Sequence, residues 1–149
     1  MPGHTAGHVA FAAPGFAFVG DTLFAGGCGR VFEGTMAQMH DSLALLADLP
    51  PETLIFCAHE YTLANLRFAL EVEPENHNLQ QRLADATRAR AMSQPTVPSA
   101  LADELATNPF LRCDLPEVIS AAEARAGRSL APGAEVFAEI RGWKDHWRG

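Results

Sequence analysis

Three short stretches of the chain set a metal-binding type of side chain beside a turn of small residues. They are Gly3-His4-Thr5-Ala6-Gly7-His8, Gly20-Asp21-Thr22-Leu23-Phe24 and Ala58-His59-Glu60-Tyr61. A metal centre needs imidazole nitrogens and carboxylate oxygens brought together from several segments and held on rigid elements. Read singly, each of the three is a polar residue satisfied at the end of a strand. Read together, with His4, Asp21 and His59 each next to an expected strand, they can converge on one edge of a sheet. His8 follows His4 by the four-residue spacing of a zinc-binding HExxH helix, but Pro2, Gly3 and Gly7 oppose a helix and the glutamate is missing. His8 is therefore expected to pack near the site rather than to bind metal.

The elements that must position these residues change character near residue 60. Before it, HVAFA (8–12), FAFVG (16–20) and LIFCA (54–58) read as strands, and Ala13-Pro14-Gly15 predicts a hairpin between the first two. Met39, Leu43, Leu46 and Leu49 recur at three- and four-residue steps, which predicts an amphipathic helix over 36–49, stopped by Pro50-Pro51. After His59 the texture is helical, with helices predicted over 61–73, 77–92, 99–108, 116–127 and 131–147. Ser99 is the expected N-cap of the third of these and Gly127 the residue that ends the fourth. The segments 20–35 and 93–98 read as loops, and no repeat or low-complexity tract interrupts the pattern.

Composition narrows the function classes. A formal net charge of −7 over 149 residues argues against a nucleic-acid binder, whose phosphate-binding surface shows as a basic excess. No run of about 18 apolar residues offers a membrane span, and no basic, then apolar, then small-residue sequence marks a signal peptide. Cys28, Cys57 and Cys113 form neither a CxxC pair nor an even disulfide framework, which fits the cytoplasm. Cys28, between two glycines, is open to reading as a nucleophile or as a small buried thiol.

PGHTAGHV, FVGDTLFAGGCGRVFEGT, LPPETLIFCAHEYTLANLRFA and PTVPSALADELATNPFLR together resemble the hydroxyacylglutathione hydrolases, or glyoxalase II family, of the metallo-β-lactamase superfamily. The likeness runs over essentially the whole chain. It implies an α/β fold: the second half of a metallo-β-lactamase αββα sandwich over residues 1–59, then a C-terminal α-helical domain over 60–149. It implies hydrolysis of S-(2-hydroxyacyl)glutathione thioesters, S-D-lactoylglutathione above all, by hydroxide held between two divalent metal ions. Zinc is the first expectation, with iron or manganese accepting the same ligands. By position, His4 and His59 match metal ligands, and Asp21 matches the catalytic aspartate that bridges both ions. Arg30, Tyr61, Arg141 and Lys144 match residues that bind the glutathione part of the substrate. Phe32 stands where some relatives have a second tyrosine. From the residues alone, Arg141 and Lys144 read as a solvated helix face.

The resemblance also implies an upstream THxHxDH motif, which this sequence does not contain. The expectation is a C-terminal portion with only some of the ligands, binding metal weakly and hydrolysing little by itself, and self-associating through an exposed sheet. A non-catalytic module for glutathione conjugates and one half of a split hydrolase are the alternatives.

Overall fold

A computed structural model describes residues 1–149 as a mixed α/β fold with six helices. The main sheet has four strands in the order β1 (Phe11–Ala13), β2 (Phe16–Gly20), β5 (Leu54–Cys57), β6 (Ser99–Ala100). β1 and β2 form the expected antiparallel hairpin, with Phe11 opposite Phe18. The chain then crosses over through α1 (Met36–Ala47) and returns in β5, parallel to β2. That parallel pairing puts the C-terminal ends of β2 and β5 on the same edge, where Gly20 pairs with Cys57. Loops leaving such neighbouring strand ends are the usual place for a site in an α/β sheet.

α1 begins at a capping box: the Thr35 hydroxyl accepts from Gln38 N and the Gln38 side chain accepts from Thr35 N. Its Met39, Leu43 and Leu46 are buried against the inner sheet residues Ala17, Val19 and Ile55. The same continuous core takes in Phe68 of α2 (Thr62–Val72), Phe110, and Phe137 and Ile140 of α6 (Ala134–His146). α3 (His77–Ala91) buries only Leu79 and Ala86, in keeping with its polar sequence. α5 (Pro116–Ala126) ends at Gly127 as expected. No helix is long and apolar enough to cross a membrane.

Three local expectations change. The first strand starts at Phe11 rather than His8, because the His8 ring is turned onto the Val19–Asp21 backbone. The segment 20–35 is not wholly loop: β3 (Leu23–Phe24) and β4 (Gly27–Cys28) form a small antiparallel ribbon. Ser99 is not a helix cap. It pairs in β6 against Ile55, and α4 (Leu101–Thr107) has Ala100 at its N-cap position, with no side-chain cap. Its hydroxyl instead lies 3.4 Å from the Glu104 carboxylate, so pairing with β5 outweighs capping here.

Candidate active site

β2 ends in a bulge, and Gly20 adopts φ +55°, a conformation costly for any residue with a Cβ. The turn delivers Asp21 to the sheet edge. His8 covers this turn, its Nε2 donating to the Val19 carbonyl at 3.1 Å with the Asp21 amide 3.3 Å away. The neighbouring β5 end delivers His59, whose Nε2 lies 3.2 Å from Asp21 Oδ1.

His4 arrives differently from expectation. It precedes the sheet and is pinned to the segment after β4: its Nδ1 donates to the Arg30 carbonyl at 2.8 Å, and its own carbonyl accepts from Phe32 N. With Nδ1 protonated, Nε2 keeps its lone pair and faces Asp21 Oδ2 at 4.0 Å. A backbone partner on the far ring nitrogen is how metal-binding imidazoles are oriented. The aspartate thus stands between the two histidines with one oxygen toward each.

The donor set suits part of a two-ion centre. Each ion would receive one imidazole and one oxygen of the shared carboxylate, whereas a catalytic zinc takes about three protein ligands. Accordingly, no group of three or more His, Cys, Asp or Glu side chains is placed to hold a single ion.

All seven expected residues line one cleft of about 530 Å³: His4, Asp21, Arg30, His59, Tyr61, Arg141 and Lys144. A second cavity of similar size, about 540 Å³ between α3, α4 and the 93–98 segment, contains none of them. Tyr61 is half exposed and stacks on the His59 ring, with centroids 4.9 Å apart and planes 19° from parallel. Arg30 presents an exposed guanidinium. Phe32 packs its ring on His4 at 5.1 Å.

Arg141 and Lys144 depart from the solvated helix face that the residues alone suggest. Arg141 is only 2% exposed. Its Nη1 donates to the Cys28 carbonyl at 2.7 Å, its guanidinium lies over Phe110, and its Nε is buried without an acceptor. Lys144 donates to Asn65 Oδ1 at 2.5 Å. Burial, aided by the Arg141 charge, pushes the Lys144 ammonium down to about 8. Cys28 is buried, and that burial pushes its thiol up, so it is no nucleophile at neutral pH.

Residues that sequence reasoning missed complete the cleft. Asn65 is buried in α2, donating to the Ala25 carbonyl while accepting from Lys144. It lies within the HEYTLANL stretch, and a buried amide in an apolar helix face was the available signal. Gly29 lets two backbones meet: a Cβ there would lie 1.9 Å from the Asp21 carbonyl oxygen and 3.2 Å from His4 Nδ1. Neither neighbour is a flexible side-chain tip. Gly29→Ala is expected to cost about 3 kcal/mol and to part His4 from Asp21. Chemical denaturation, with the His4 ring-nitrogen shifts in NMR, measures both effects.

A family model described as "Hydroxyacylglutathione hydrolase C-terminus" matches residues 60–147, and one described as "Metallo-beta-lactamase superfamily" matches residues 1–59. A hydroxyacylglutathione hydrolase of Alkalilimnicola ehrlichii is 61% identical over 145 residues, which are 97% of this chain and 57% of that protein. One from Nitrosomonas europaea is 53% identical over 149 residues, 100% of this chain and 57% of that protein. The chain therefore spans a little over half the length of these relatives. The crystal structure of ETHE1 from Myxococcus xanthus matches with a TM-score of 0.49 and 22% identity, over 96% of this chain and 50% of that one. On the family match across residues 60–147, the chain belongs to the hydroxyacylglutathione hydrolase family, within the metallo-β-lactamase superfamily.

Proposed function

We propose that the chain forms the glutathione-binding wall and part of the metal centre of a hydrolase for S-(2-hydroxyacyl)glutathione thioesters. The products are glutathione and a 2-hydroxy acid, D-lactate where the substrate is S-D-lactoylglutathione. One observation carries the reading: a His-Asp-His set and three cations face the same cleft. A thioesterase for an anionic tripeptide conjugate needs both.

His4 with Asp21 Oδ2 would hold one divalent ion and His59 with Oδ1 the other, zinc before iron or manganese. Such a pair supplies a nucleophile at neutral pH and stabilises charge on the carbonyl oxygen. The chain's own residues do the rest. The Arg30 carbonyl keeps His4 in the tautomer that leaves Nε2 free. Arg30 and Lys144 bind the carboxylates of glutathione, and Arg141 adds positive potential from behind the Cys28–Gly29 backbone. Tyr61 contacts the glutathione part, and with Phe24 it gives the cleft a ring-lined flank beside His59.

A second reading has its own support. The cationic wall is complete while the donors are not, so the isolated chain is also suited to binding glutathione conjugates without turnover, or to serving as one part of a split hydrolase. Residues 1–59 and 60–149 are read as a partial metallo-β-lactamase-like domain and a helical domain, supported by two family matches that meet at that point. Three free cysteines suit a reducing compartment, and we place the chain in the cytoplasm. The outward sheet face is read as a self-association surface.

The isolated chain, desalted after exposure to zinc, is expected to retain well under about one ion per molecule, two ligands per ion being too few. Elemental analysis measures this ratio. A value near two would mean that other donors complete the centre and that this chain is itself the hydrolase. Hydrolysis of S-D-lactoylglutathione, absent from the chain alone and restored by a polypeptide carrying the remaining ligands, tests the function directly. No turnover in that mixture, with both parts folded and zinc bound, would sink it.

A further inference from the structure

One charged residue beside the cleft has no part in the reading above. Asp145, near the end of α6, is one turn beyond Arg141 on the same helix face. Its Oδ1 lies 3.1 Å from Arg141 Nη2 and 3.9 Å from Arg30 Nε, so one carboxylate oxygen serves both guanidiniums. Arg30, Arg141 and Lys144 line the cleft and Asp145 does not. The carboxylate therefore stands behind the wall, leaving the cleft side of Arg30 and Lys144 open to a ligand while Arg141 acts through its buried charge.

We propose that Asp145 is a positioning residue of the cleft, holding Arg30 in place and balancing the buried Arg141 so that the three cations can share one anion-binding wall. This rests on the reading that the wall takes the glutathione part of a thioester. Two features make such a residue necessary. Arg30 has a fixed backbone, since its carbonyl holds His4, but its exposed side chain has no other carboxylate partner within 4.0 Å. Without Asp145 the side chain would sample many rotamers, and each ligand would have to order it anew. Arg141 cannot retreat from the cleft, being tied to the Cys28 carbonyl and packed on Phe110. Its charge is 3% exposed, and an uncompensated buried charge is costly.

Lys144 reports on this balance. The groups acting on its ammonium are Arg141 and Arg30, which with burial push it down, and Cys28 and Asp145, which push it up. The sign is fixed: removing the Asp145 charge lowers the Lys144 midpoint below about 8, so the wall loses a cation nearer to neutral pH. Removing the Arg30 charge raises it.

Lys144 is the only lysine in the chain, so ¹³C-lysine labelling gives a single ε-methylene signal to titrate. In Asp145→Asn the midpoint is expected to fall by about half a unit or more, and in Arg30→Gln to rise. The Arg30 Nε–H group is expected to be ordered in the wild type, as read by ¹⁵N relaxation, and to become mobile in Asp145→Asn. The dissociation constant for S-methylglutathione is expected to rise about tenfold and to recover in Asp145→Glu. An unchanged Lys144 midpoint and an unchanged Arg30 order in folded Asp145→Asn would overturn the proposal. Should that variant not fold, Arg30→Gln decides in its place, and an unmoved Lys144 signal overturns it. Wild-type protein that does not bind S-methylglutathione would sink the glutathione reading instead, while the lysine and arginine signals still judge Asp145.

Discussion

Glu104→Ala is expected to destabilise the chain by about 3–5 kcal/mol and to loosen the cleft, although α4 carries none of the cleft's site residues. Glu104 is completely buried in α4. Its Oε1 accepts from the Gly26 amide at 2.7 Å, and its Oε2 lies 2.8 Å from Arg82 Nη1 and 3.4 Å from the Ser99 hydroxyl. One carboxylate thus joins the turn of the β3–β4 ribbon, helix α3, strand β6 and helix α4. Removing it strands the Gly26 amide and leaves the mostly buried Arg82 cation with only the Thr107 hydroxyl, at 2.7 Å, and a longer approach to the Asp103 carbonyl. The loss approaches the whole stability of a marginal domain, about 5–15 kcal/mol. Glu104→Gln retains an acceptor for Gly26 and removes the charge, so its cost is expected to be smaller. Urea denaturation ranks the two. Hydrogen exchange at Gly26 and Gly29 shows whether the ribbon loosens first. Equal stability of Glu104→Ala and wild type would mean that the carboxylate is not the brace of the ribbon.

That brace was hard to read in the sequence, and the reason is general. Asp21 and His59 were legible because turn residues follow two apolar runs, and the parallel pairing of β2 with β5 puts both turns at one edge. His4 reads in the sequence as a candidate donor, but its placement does not, since that depends on a backbone contact with Arg30 across 26 residues. The capping box of α1 and the Gly127 stop are local and could be read locally. Glu104 and Asp145 look like ordinary helix charges, because nothing in their neighbours shows what packs over them. Arg141 gave the same misleading signal: its burial comes from the β4 turn, 113 residues earlier in the chain. Ser99 looked like a cap for want of any local sign that β5 needed another partner.

In solution the isolated chain is expected to be a dimer or larger assembly, held through the outer face of its sheet. Period-two alternation along β2 sends Ala17 and Val19 inward and Phe16 and Phe18 outward. Register then stacks apolar neighbours beside them: Phe11 opposite Phe18 on β1, and Leu54 and Phe56 opposite Phe16 and Phe18 on β5. Phe11 is 71% exposed and Phe18 49%, and the Phe18 ring lies 5.0 Å from Phe56 and 5.6 Å from Phe16. A contiguous patch of this kind is uncommon on a monomer, and burying apolar surface stabilises by about 25 cal/mol per Å². A second copy offers the same patch, so a two-fold pairing brings like face to like face. Sedimentation velocity at rising concentration is the test. Phe11→Lys with Phe18→Lys puts two charges on the face without touching the buried side of either strand, and is expected to yield monomer with unchanged helix content. A wild-type chain that sediments as a monomer at every concentration and unfolds in one cooperative step would show that the face needs no cover. Where the dimer forms and the lysine variant still binds S-methylglutathione, the cleft and the sheet face are separate surfaces, as their positions on the sheet's edge and its outer side require.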